Sequence, residues 1–207
     1  MKAVKPIIFF IILVSFLIAI FLYPQMPAQM AGHWNIKGEV DGYLPKFWGL
    51  FLMPILSVVM YLLFIFLPKI DPLKANIAKF RKYYNGFILL LISFLFYLYL
   101  LTIFWNLGYR FGLIQFLVPA FSVLFYYVGV LLENAKRNWF IGIRTPWTMS
   151  CDKVWDKTHQ LAGKLFKISG TVALLGIFLP QFAFWFVLVP VVFSSLYLVV
   201  YSYLVYL

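Results

Sequence analysis

Long apolar runs alternate with short basic segments along this sequence, and the last run constrains the fold most. Residues 168–207 contain no Asp, Glu, Lys, Arg or His. A spanning helix needs about 20 mostly apolar residues, so the stretch is long enough for two. Pro180-Gln181 is the natural turn, because proline cannot continue a helix interior. The same criterion marks spans at 6–23, 47–67, 86–107 and 113–132, with the last two at about 165–180 and 184–207. Composition agrees. The chain is 65% hydrophobic and 11% charged, against about 45–50% apolar and about 25% charged in a soluble domain. The fold expected is all-α and integral to the membrane, a six-helix transmembrane bundle.

The Lys and Arg residues set an orientation. Fourteen of the 17 fall on one side: Lys2 and Lys5 before the first span, then the loops at 68–85 and 133–167. Lys37, Lys46 and Arg110 are left for the other side. Cytoplasmic loops collect basic residues. Both termini and those two loops are therefore expected in the cytoplasm of a multi-pass cell-membrane protein, and the loop at 24–46 and the turn at 108–112 outside. The net charge of +11 is explained by this placement, so no direct nucleic-acid partner is expected. The first run begins like a secretory signal, but its 17 apolar residues (7–23) exceed the usual length of about 7–15 and no clean A-x-A site follows. It is read as a retained span. Trp48, Trp105, Tyr109 and Trp185 lie near span ends, where amphipathic rings sit at headgroup level. The single cysteine, Cys151, provides neither a disulfide framework nor a zinc-ligand spacing.

Two segments stand out. The chain divides into 1–67, holding two spans and the outer loop 24–46, and 68–207, holding four spans and the inner loop 133–167. In the outer loop, Asn35, Gly38 and Asp41-Gly42 are turn formers, so a hairpin-like cap with Trp34 and Tyr43 folded back on the bundle is expected. The alternative is an exposed recognition surface for an extracellular ligand. His33, Glu39 and Asp41 offer a nitrogen and two carboxylates without a recognised ligand spacing, and no metal or other cofactor is expected.

In the inner loop, 138–148 combines Asn138, Trp139, Gly142, Arg144, Thr145, Pro146 and Trp147. Pro146 pushes Thr145 toward extended geometry. Arg144 is placed to stack on an indole of Trp139, Trp147 or Trp155, or to bridge to a lipid phosphate, Asp152 or Asp156. Ser150 is the expected N-cap of the next helix. Val154, Trp155, Thr158, Leu161, Ala162 and Leu165 share one face, and Lys153, Asp156, Lys157, Gln160, Lys164 and Lys167 the other. An amphipathic helix is expected to run into the fifth span, about 44 Å long over 151–179 at 1.5 Å per residue. His159 reads as a polar-face or loop-packing residue.

The run Gly142-Ile143-Arg144-Thr145-Pro146-Trp147-Thr148, with Trp155, Lys157-Thr158-His159 and Gly163, resembles the signature of the SdpI family of bacterial membrane proteins. The outer run His33-Trp34-Asn35, with Gly38 and Asp41-Gly42-Tyr43, is similar to a small domain of unknown function that often precedes it. Together these cover about 40 residues. The resemblance implies immunity against a secreted peptide toxin. It also implies signalling, in which a cytoplasmic transcriptional repressor is held at the membrane. On that reading, Asn138, Gly142, Arg144, Thr145, Pro146, Trp147, Trp155, His159 and Gly163 are the inner partner-binding candidates. His33, Trp34, Asn35, Gly38, Asp41, Gly42 and Tyr43 are the toxin-facing candidates outside. The alternative is a small-peptide exporter or a membrane sensor without an immunity role. Ion-coupled transport is disfavoured, because ionisable residues at mid-membrane would mark its pathway and none is found. No HExxH or GxSxG motif points to an enzyme.

Overall fold

The computed structural model describes residues 4–207; Lys2 of the basic N-terminal pair lies outside the described residues. Among the described residues, nine α-helices and one two-stranded hairpin follow in order. They are α1 (Val4–Leu22), β1 (Gln29–Trp34), β2 (Val40–Pro45), α2 (Lys46–Ile70), α3 (Lys74–Lys79), α4 (Arg81–Asn106), α5 (Leu113–Asn134), α6 (Pro146–Ser150), α7 (Asp152–Ala173), α8 (Leu175–Phe178) and α9 (Ala183–Tyr206). Six helical stretches are long and apolar enough to cross a membrane, with α7 and α8 together forming the fifth. The molecule is an all-α multi-pass membrane bundle. Its helices expose large apolar side chains such as Phe21, Phe66 and Phe193, as surfaces facing lipid do.

The bundle has two groups of three long helices. In one, α1 and α2 pack against α4; in the other, α5 and α9 pack against α7; α4 and α5 join the groups. Between helices in lipid, close approach and hydrogen bonds replace the hydrophobic drive. A Cβ on Gly163 would lie 2.7 Å from Cβ of Glu133, and one on Gly170 would lie 2.6 Å from the Ser122 carbonyl. Small residues therefore set how closely α5 and α7 cross. Lys167 of α7 pairs with Glu133 of α5 beside that crossing. Several buried serine hydroxyls are satisfied within their own helices: Ser15 donates to the Ile11 carbonyl (2.8 Å), Ser57 to Met53 (2.9 Å) and Ser169 to Leu165 (2.9 Å). Where no water reaches, each backbone group needs an internal partner. Pro68 in α2 has no N–H for the Phe64 carbonyl, and the Tyr84 hydroxyl of α4 donates to that oxygen at 2.7 Å.

Three sequence expectations need correction here. The fifth span continues the loop helix, as expected, but it breaks at Leu174, whose N–H bonds Thr171 in a tight turn before α8. Gly176 of α8 comes so close to Ala183 that a Cβ would sit 2.8 Å from its Cα. Ser150 does not cap α7. Its hydroxyl donates to the Pro146 and Trp147 carbonyls within α6, and the capping position falls to Cys151. Tyr43 does not fold back on the bundle but stands 64% exposed.

The loop 24–46 is a β-hairpin, antiparallel, with Met30 opposite Leu44 and Trp34 opposite Val40. It sits at the same end of the bundle as the α4–α5 turn. The Asn106 side chain accepts from the Ala31 N–H (2.8 Å) and donates to the Ala31 carbonyl (3.1 Å). The indole of Trp34 meets Trp105 edge-on at 5.9 Å. At the opposite end, the start of α1, the α2–α4 connection and the α5–α7 loop share one cluster that includes Ile8, Ile77, Phe80, Ile141 and Trp155. The strongly basic segments thus gather at one end of the bundle and the hairpin at the other.

Candidate functional site

The inner loop is built around Asn138, which is fully buried. Its amide donates to the Lys136 and Ile141 carbonyls (2.8 and 2.9 Å), and its oxygen accepts from the Phe140 and Ile141 amides (2.9 and 2.6 Å). One side chain therefore closes the turn at full hydrogen-bonding capacity. Asp71 fixes the turn from outside: one carboxylate oxygen accepts from the Leu73 amide (2.6 Å) and the other from the Trp139 amide (2.9 Å). Asn76 donates to the Arg137 carbonyl at 2.9 Å. These contacts tie the two basic loops together.

Gly142 follows with φ of +122°, a conformation open mainly to glycine. A Cβ there would lie 2.3 Å from Nε2 of His159. His159 is buried and packs against the loop, the second of the two placements the sequence allowed, and not on the polar face. Its ring stacks on Trp155 at 3.9 Å. Nε2 accepts from the Ile143 amide (3.0 Å), and Nδ1 lies 2.8 Å from the Trp155 carbonyl, to which it donates. Those two contacts define a neutral imidazole with its proton on Nδ1. Trp155 is itself enclosed, and its indole N–H donates to the Ala135 carbonyl at 2.9 Å. Thr145 and Thr148 form a capping box that starts α6. The Thr145 hydroxyl also meets Ser202 of α9 at 2.9 Å, and Trp147 packs on Tyr203 at 5.0 Å.

Arg144 makes neither of the two protein contacts expected of it. It is exposed and donates to the Trp139 carbonyl at 2.6 Å. It neither stacks on an indole nor reaches a carboxylate, because Asp152 is paired with Arg137 (2.8 Å) and Asp156 with Lys136 (3.1 Å). Of the nine inner candidates, Asn138, Thr145, Trp155, His159 and Gly163 are buried, and Gly142 and Trp147 are half-buried. Arg144 and Pro146 are exposed. The α7 faces read from the sequence hold: Val154, Trp155, Thr158 and Ala162 are buried, and Lys153, Lys157, Gln160 and Lys164 are exposed.

At the hairpin end, Asn35 organises the tip. Its oxygen accepts from the Lys37 and Glu39 amides (2.9 and 3.1 Å), and its nitrogen donates to the Glu39 carboxylate (3.0 Å). Gly38 takes φ of +81° to close the turn. His33 pairs with Asp41 across the strands. Glu39 is thus turned to Asn35, and among the described residues no group of three metal-ligating side chains forms. Gly42 leaves room for His33, whose Cβ would be 2.9 Å from an added Cβ. Below the tip, His33, Trp34 and Asn35 roof a cleft of about 510 Å³ between α5 and α9, lined by Leu117, Phe121 and Val187 among others. The sequence reading did not single out Asp71, Asn106 or Ser202. Asp71 had a signal as the lone acid in a basic loop; Asn106 and Ser202 had none.

Residues 134–202 match the model of the SdpI/YfhL protein family. Over that stretch the chain is similar to this family. The matched stretch holds the whole inner loop, α7 and most of α9. Residues 10–58 match a domain of unknown function, DUF1648, which takes in the hairpin. The resemblance to the SdpI family read in the sequence is shown by these matches and by a curated relative. Immunity protein SdpI of Bacillus subtilis (strain 168) is 27% identical over 173 residues, covering 83% of this chain and 81% of the relative. No solved structure matches.

Proposed function

We propose that this protein is a membrane immunity protein that protects its host cell against a secreted peptide toxin, with the hairpin outside and the basic end in the cytoplasm. Similarity to an immunity protein along most of both chains carries this reading. The hairpin fits a receiving role: Tyr43 and the His33–Asp41 pair are exposed, and the tip roofs an apolar cleft that opens between α5 and α9. A second, finer role is signalling. The inner loop presents Arg144, Pro146 and half-exposed Trp147 as a surface on which a cytoplasmic repressor can dock. The same cleft also supports the competing reading of a peptide exporter.

The test is survival of a toxin-sensitive host that expresses this protein and is exposed to the secreted peptide encoded nearest to its gene. Wild type is expected to protect; no protection overturns the immunity reading. Arg144→Ala and Trp147→Ala are expected to lose protection while reaching the membrane at wild-type level, and full protection by both would remove the loop from the mechanism. Protection accompanied by toxin accumulating outside the cells favours export. A repressor that co-purifies only when toxin is present supports signalling.

A further inference from the structure

At the basic end, three cations from three helices converge on one cavity. Lys5 lies in the first turn of α1, Lys69 in the last turn of α2 and Arg81 at the start of α4, and all three line a cleft of about 240 Å³ between these helices. The deeper wall is apolar, formed by Ile8, Phe64 and Ile88, with Asn85 beside Arg81. Arg81 and Asn85 stand one helical turn apart, so they share a face.

Among the described residues, no acidic side chain lines this cleft. The sequence contains six acidic residues, and each is engaged elsewhere. Asp41 pairs with His33 and Glu39 with Asn35 at the hairpin. Asp71 holds the Leu73 and Trp139 amides. Glu133, Asp152 and Asp156 pair with Lys167, Arg137 and Lys136. Among the described residues, Lys5, Lys69 and Arg81 make no salt bridge. Three unneutralised cations around a half-open pocket repel one another, and a ligand that brings negative charge relieves that repulsion. The guanidinium suits a phosphate, which it can grip with two parallel N–H bonds. The pocket lies at the end of the bundle, where lipid headgroups meet the helix termini, and its depth is apolar. A small inorganic anion would use only the mouth, whereas an amphiphile would use both parts.

We propose that this cleft binds an anionic phospholipid, with the headgroup phosphate held by Lys5, Lys69 and Arg81 and the start of an acyl chain lying against Ile8, Phe64 and Ile88. The cleft lies at the other end of the molecule from the hairpin, and its assignment does not rest on the immunity reading.

The experiment uses full-length protein purified in mild detergent and native mass spectrometry after incubation with phosphatidylglycerol, phosphatidylcholine or inorganic phosphate. Wild type is expected to retain phosphatidylglycerol over phosphatidylcholine. The triple variant Lys5→Gln/Lys69→Gln/Arg81→Gln is expected to lose about tenfold or more of that retention. A control with equal charge loss at the same end, Lys153→Gln/Lys157→Gln/Lys164→Gln, is expected to retain lipid like wild type. Ile65→Trp keeps every charge but fills the cleft, and it too is expected to lose the lipid. Size-exclusion profiles and circular dichroism establish that each variant is folded, and Arg81→Gln alone replaces the triple variant if that one is not. Equal retention by wild type and the triple variant overturns the proposal. So does equal loss in the control triple, retention by Ile65→Trp, or displacement of the lipid by millimolar inorganic phosphate, which would indicate a simple anion site.

Discussion

Gly142 and His159 occupy one space and depend on each other. The glycine sits at φ of +122° and leaves 2.3 Å between an added Cβ and the imidazole. Gly142→Ala is expected to cost about 1–3 kcal/mol from backbone strain alone, with the steric overlap added. In a His159→Ala background the same change is expected to cost less, because the overlap with the imidazole is gone and only the strain and a 3.2 Å approach to Trp155 remain. A double-mutant cycle on thermal unfolding in detergent measures that coupling; a coupling of zero would mean the two residues do not share the site as described. The sequence made this pair visible as members of one motif. It did not reveal that His159 is buried, because its polar partners, the Ile143 amide and the Trp155 carbonyl, are backbone groups brought together only by the folded loop. Arg144 shows the converse. Its surroundings of tryptophan were legible, but its carboxylate partners were already taken by Lys136 and Arg137.

Helix existence was legible because a run of apolar residues must cross the bilayer whatever its neighbours are. The long helices lie close to the apolar runs and extend beyond several of them, α2 reaching Ile70 and α4 starting at Arg81. Which faces meet was not legible, since in lipid an apolar side chain suits the outside as well as the inside. The contact between α5 and α7 depends on small residues, and it makes a prediction. Gly163→Val and Gly170→Val should each destabilise by about 1–3 kcal/mol, because the added atoms meet Glu133, Ser122 and Tyr126 with no free volume. Ile168→Val, at a position 57% exposed, should leave the unfolding midpoint unchanged. The hairpin was legible as a turn-rich cap, yet its anchoring by Asn106 was not, because the bonds to Ala31 join residues 75 apart in sequence.

Across the whole molecule, the charge asymmetry read from the sequence becomes spatial: two basic loops interlock through Asp71 and Asn76 at one end, opposite the hairpin. An orientation with the hairpin outside is tested in a Cys151→Ser background. Tyr43→Cys is expected to react with a membrane-impermeant maleimide on intact cells, and Lys153→Cys only after the membrane is opened; the reverse pattern would invert the topology. α9 runs the length of the second helix group. Beyond Pro190 it is fastened to its neighbours, through Ser194 to Ser169, through buried Leu198, and through Ser202 to Thr145. Before Pro190 it forms one wall of the cleft under the hairpin, with Phe184 and Val187. Proline removes one rung of the helix ladder and relieves its stiffness at that residue. α9 therefore ties the two ends of the molecule together: one half is bolted to the inner loop, and the other walls the cleft while Ala183 closes on Gly176 of α8.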